Sequence, residues 1–219
     1  MEKILNKKLH DFSKPIDVFQ TVLIYLIALL VPTFLGSFIK TTFGGSSVMA
    51  ANSQLIVGSI VNCALIISAI NLNGWAKILG VVTMPSISTI LSGYVFQTAS
   101  PYMAWMIPAI WIGNFVLVYA FKFIMLSKNK NYFLAGALGI LVKVLVIAAS
   151  FMLLKAFNIF PEKLVSNLQV AMTSTQLITA SIGCAVSFII YGVEKNVLKK
   201  YYQYCLFIFV ALHNFVSVL

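Results

Sequence analysis

The 219-residue chain is 61% hydrophobic and only 9% charged, where a soluble domain carries about 25% charged residues. That composition excludes an ordinary soluble enzyme and points to an integral membrane protein, too short to add a large soluble ATPase. The net charge of +10 rests on lysine alone, without arginine, and the lysines punctuate apolar runs instead of lining one aromatic-rich face, so they read as a topology signal and not as a nucleic-acid surface.

Residues 1–17 are polar and hold Lys3, Lys7, Lys8 and Lys14. An apolar run at 18–39 follows. It is long enough to span, and the small-residue stretch "SVMAAN" lies well past its end, so it reads as an uncleaved first helix and not as a signal peptide. Further apolar runs occupy 53–72, 76–97, 102–125, 132–156 and 172–192. Each reaches the ~20 residues needed to cross a ~30 Å hydrocarbon layer. None alternates with period two, so helices are expected and not a barrel. The predicted architecture is an all-α integral membrane protein with six transmembrane helices at 18–192. A cytoplasmic segment at 1–17 precedes it, and a Lys-rich linker with an apolar helix follows at 193–219. That last helix, "YYQYCLFIFVALHNFVSVL", has the length either to span as a seventh helix or to lie in the interface.

Lysine placement orients the bundle. Lys77, Lys122, Lys128, Lys130, Lys195, Lys199 and Lys200 fall on the same side as the N-terminal four, against Lys40, Lys155 and Lys163 on the other. The N-terminus is therefore expected in the cytoplasm, and the Gly/Ser-rich 40–52 segment becomes an external loop. Cys63, Cys184 and Cys205 sit in apolar runs and suggest no disulfide framework or metal site. No cofactor is expected.

The fourth run opens with "SPYMAWMIPAIWIGN", Ser100 to Asn114. Ser100 can cap the helix and Pro101 fits its first turn. Tyr102 and Trp105 suit an aromatic belt, Trp105 also being a candidate substrate contact. Pro108 predicts a kink. Trp111 lies about 14 Å in, too deep for a belt. Asn114, three residues on, shares its face and either bonds a neighbouring helix or lines a cavity with Trp111. Asn62 in the second run reads as interhelical glue. Lys143, in "GILVKVLVIAAS", lies about 17 Å deep, beyond easy snorkelling. The five acids are Glu2, Asp11, Asp17, Glu162 and Glu194, none deep in a span. Lys143 is thus neutral or bonded to carbonyls, or a ligand supplies its anion. The start of the sixth run, "MTSTQ", adds Thr173 and Gln176 as hydrogen-bonding groups or as helix-entrance caps.

The same shortage of acids argues against a proton relay and against metal-dependent lipid chemistry. No GxSxG, HExxH or Walker pattern occurs, so no catalytic residue is nominated and an enzyme is not expected.

Six helices in about 200 residues, with "TMPSISTILSGYVFQTASPYMAWMIPAIWIGN" at the third-to-fourth junction, resemble in topology the substrate-binding S component of energy-coupling factor (ECF) vitamin transporters. The resemblance spans about 18–200. It implies a multi-pass protein of the bacterial plasma membrane that captures a vitamin-like small molecule externally. It also implies a transmembrane coupling subunit and two ABC-type ATPases as partners. The family's AxxxA spacing is absent from the first run; Ala135, Gly136, Ala137 and Gly139 lie on the fifth instead. In this reading Lys143 pairs a negative group, Trp111 stacks on a ring, and Asn114 and Gln176 donate hydrogen bonds. Two rivals stay open: a membrane enzyme or lipid-processing protein whose cavity opens to lipid, and an accessory subunit without a ligand.

Overall fold

The structure, a computed structural model, describes residues 1–9, 14–43 and 53–216, with side chains through residue 196. Among these residues the chain is helical throughout, with no strand. A short α1 (Glu2–Leu5) precedes α2, which runs Lys14–Leu30, widens to a π turn at Val31–Leu35 and resumes at Gly36–Phe43. Then come α3 (Ser53–Asn71) and α4 (Trp75–Ser92). Helix α5 starts at Ser100–Met103, tightens to a 3-10 turn at Ala104–Met106, continues as Ile107–Ala120 and ends in a π stretch, Phe121–Ser127. The last three are α6 (Tyr132–Ala156), α7 (Glu162–Met172) and α8 (Ser174–Val216). Six stretches are long and apolar enough to cross a membrane: Asp17–Thr42, Ser53–Asn71, Trp75–Ser92, Ser100–Ser127, Tyr132–Ala156 and Glu162–Asn196. The protein is a six-span membrane bundle.

Prolines explain two of the irregular turns. A proline inside a helix removes a donor and crowds the carbonyl four residues back. Pro32 begins the π turn of α2. There Ser88 of α4 donates to the Leu29 carbonyl at 2.5 Å and shares a 2.7 Å hydrogen bond with Thr33, tying the two helices at the disturbed turn. Pro108 follows the 3-10 turn of α5, so the expected disturbance is a local tightening of the helix.

Three local expectations are corrected. The polar stretch after residue 157 is mostly helix α7, because Leu164, Leu168 and Met172 recur at a four-residue spacing and bury their stripe against α6 and α8. Thr173, at φ −118° and ψ −91°, breaks α7 from α8. Downstream, α8 continues to Val216 with no linker at 193–200. Ser100 caps nothing; its hydroxyl is buried without a partner among the described residues. Of the loop expected at 40–52, residues 40–43 are the helical end of α2 and 44–52 lie outside the described residues, as do the side chains of the C-terminal helix.

The lysine-rich connections meet at one end of the bundle. Leu9 N–H bonds the Ile70 carbonyl and Gly74 N–H bonds the Leu5 carbonyl, clasping the N-terminal segment there. Asp17 pairs with Lys8 at 3.2 Å and Lys77 at 2.5 Å, and Asn71 donates to Glu194. Lys122, expected on the charged surface, is fully buried instead. Its ammonium donates to the carbonyls of Lys7 (2.5 Å) and Leu72 (2.7 Å). Lys40 and Lys155 sit at the opposite end, over the Tyr94 ring and beside Gln169.

Candidate functional site

Packing divides the interior into two apolar layers. One, towards the lysine-rich end, holds Leu65, Ile66, Leu117, Phe121, Ala135 and Ala180 among others. The other, towards the far end, holds Met103, Met106, Ile147, Phe151, Phe160 and Met172. Among the buried members, along α5 the far layer ends at Ala109 and the near layer begins at Leu117, and along α6 the near layer ends at Ile140 and the far layer resumes at Ile147, with Ile110, Trp111, Phe115 and Val144 partly buried between. Asn114 and Lys143 fall in these two gaps. A hollow of about 70 Å³ opens at this level, lined by residues of α3, α4, α5, α6 and α8 and by Val95 and Phe96.

Lys143 is 2% exposed, and its side-chain nitrogen donates to the side-chain oxygen of Asn62. The Asn62 amide nitrogen in turn donates to the Gly58 carbonyl at 2.8 Å and to the Thr179 hydroxyl at 3.3 Å. The Thr179 hydroxyl donates to the Gln176 backbone carbonyl at 3.2 Å. Every hydrogen in this chain therefore has one direction, and the Asn62 oxygen faces the lysine. Two glycines permit the packing. A Cβ on Gly183 would stand 2.6 Å from the Asn62 Cβ and 2.8 Å from the Ser59 carbonyl oxygen. A Cβ on Gly113 would meet the side chain of Ile147 at 3.0 Å and that of Lys143 at 3.3 Å.

Of the residues expected at a site, Lys143, Asn114 and Gln176 line the hollow. The amide of Asn114 also donates to the Val82 carbonyl at 3.2 Å, bonding the neighbouring α4. Trp111 does not line the hollow. Its indole N–H donates at 2.7 Å to Ser86, which does, so it stands one layer behind. Thr173 turns back to the Gln169 carbonyl at 2.7 Å, and Trp105 is 60% exposed on the bundle surface. Neither lines the hollow.

The sequence reading under-weighted Asn62, Ser86, Thr89 and Gln54, all of which line it. A signal for Asn62 was present: it is the tenth residue of a 19-residue helix, as central in α3 as Lys143 is in α6. The hydroxyl of Thr89 and the amide of Gln176 have no side-chain hydrogen-bond partner among the described residues. The lysine has one acceptor for its three N–H groups. These are among the groups on the wall that face the hollow with hydrogen-bonding capacity to spare.

Among the described residues, the 15 that line the hollow include one cation and no acid. Among the described residues no three His, Cys, Asp or Glu side chains come together to hold a metal ion. Beside its neutral amides and hydroxyls the wall is apolar, with Val57, Val61, Pro85, Ile90 and Ile110. Such a site can bind and orient a small polar molecule. No family model, curated protein or solved structure matches this chain.

Proposed function

We propose that this protein is a membrane-embedded solute-binding subunit that captures a small, negatively charged metabolite for uptake. The observation that carries the reading is Lys143: an ammonium mid-bundle, facing a hollow, with a neutral amide as its hydrogen-bond acceptor and no acid on the wall. An intramembrane charge is costly unless something compensates it, and such residues mark solute paths by default. A bound anion would supply that compensation.

The positive-inside rule puts the lysine-rich end in the cytoplasm. The hollow then faces outward, past Gln54, Val95 and Phe96, as capture for uptake requires. Transport energy would come from a separate coupling subunit and ATPases, as the resemblance to ECF S components implies. A drug-sized ligand occupies a pocket of about 300 Å³ or more, so the hollow as it stands accommodates the charged end of a vitamin-like solute, or a smaller solute whole.

Thermal unfolding of the purified protein in detergent, against carboxylates, vitamins and amino acids, tests this. A ligand present at about 100 times its Kd stabilises by about 2.7 kcal/mol, or about 5–10 °C for a chain of this size. The reading is wrong if no anionic compound raises the midpoint, or if Lys143→Met responds like the wild type.

A further inference from the structure

The Lys143–Asn62 contact carries more than a site assignment. We propose that Asn62 is a positioning residue that holds the lysine while the site is empty, and that the site selects a small monocarboxylate which takes over that contact. This rests on the solute-binding reading above and adds to it the charge, size and partner exchange of the ligand.

Charge is argued by count. One cation and no acid line the hollow, so one negative charge makes the occupied site neutral. A dianion would bury a second charge with nothing to compensate it. Size follows from volume. A dry cavity of about 150 Å³ takes benzene, with its six heavy atoms; a hollow of about 70 Å³ suits about half that number, plus whatever extends towards Val95 and Phe96. Short monocarboxylates meet both conditions, their alkyl end facing Val57, Val61 and Ile110 and their oxygens reaching Lys143, Thr89 or Gln176.

Asn62 is built for the exchange. Its amide nitrogen is committed to Gly58 and Thr179, so its oxygen stays aimed at the lysine whatever else moves. A neutral amide oxygen is a weaker acceptor for an ammonium than a carboxylate, so an incoming anion can displace it without stranding a charge. An aspartate at this position would be close to the same shape and would act as a permanent counter-ion.

The experiment measures equilibrium binding of radiolabelled propionate to the detergent-solubilised full chain, with malonate and propionamide as competitors. Expected results are wild-type binding of propionate, competition at least about 10-fold weaker by malonate and by propionamide, and loss of at least about 30-fold in affinity in Asn62→Asp, measured below the temperature at which that variant, which loses the donor to Gly58, begins to unfold. Competition by malonate as strong as that by unlabelled propionate overturns the charge argument without any variant. Propionate affinity unchanged in a folded Asn62→Asp overturns the exchange. Failure of the wild type to bind propionate overturns the short-monocarboxylate assignment, while a midpoint shift with another anion would leave the solute-binding reading standing.

Discussion

Replacing Gly183 by Ala tests the close approach of α3 and α8, the most extensively packed pair of helices among the described residues. The added Cβ would lie 2.6 Å from the Asn62 Cβ, and 2.8 Å from both the Cys63 nitrogen and the Ser59 carbonyl oxygen. Ordinary contact begins at 3.4 Å, so the helices must part by roughly 0.6–0.8 Å, the shortfall in those three contacts. Two of the three atoms are backbone and cannot rotate away. Overpacking of this kind costs about 1–3 kcal/mol, and backbone obstruction places this case at the upper end. For a chain of this size, about 3 kcal/mol lowers the unfolding midpoint by about 6–12 °C. Gly192, on the same helix, has nothing within 4 Å of its notional Cβ. There Ala should be neutral or stabilise by up to about 1 kcal/mol through helix propensity. Thermal unfolding of both variants in one detergent reads the difference. Equal midpoints for Gly183→Ala and wild type, or an equal drop in Gly192→Ala, would refute the packing argument.

Other expectations follow from named contacts. Lys143→Met removes the cation and leaves the Asn62 oxygen short of a donor, so stability should change by no more than about 2 kcal/mol while anion binding disappears; intact binding would contradict the site. Lys122→Met leaves the carbonyls of Lys7 and Leu72 without their donor, at about 1.5–3 kcal/mol for each charged hydrogen bond, and amide exchange in residues 1–9 should accelerate. Unchanged protection there would mean that the lysine does not anchor the N-terminal segment. Trp111→Phe loses the bond to Ser86, about 1 kcal/mol, and should keep ligand affinity within a few-fold; complete loss would show that the ring contacts the solute after all. Asp17→Asn breaks two partly exposed ion pairs, so its cost should stay below about 2 kcal/mol and shrink as salt is added, a trend that denaturation at two ionic strengths would read.

Part of the site was legible in the linear chain. Lys143 stands out because an apolar helix offers no reason for a mid-span ammonium, and depth can be counted from the helix end. Asn114 follows from the same counting, and Gln176 from the polar start of the sixth run. Trp111 shows the limit: its position along the helix can be counted, but rotation about the helix axis decides whether a side chain faces a hollow or the layer behind it. Thr173 was misjudged because the α7–α8 break, which turns its hydroxyl back on Gln169, is a backbone event with no proline or glycine to announce it. Asn62 was undervalued because its significance lies in its partner, 81 residues away in sequence.

Hydrophobic run length and lysine spacing determine six spans and the sidedness of their charge, because each span must satisfy its own backbone in lipid and each lysine needs water or a partner. Which polar residues meet is a different matter. It depends on helix rotation, on glycine contacts such as Gly183 against Asn62, and on the gap between two apolar layers. Those are relations between segments distant in the chain, and only the folded bundle brings them to within hydrogen-bonding reach.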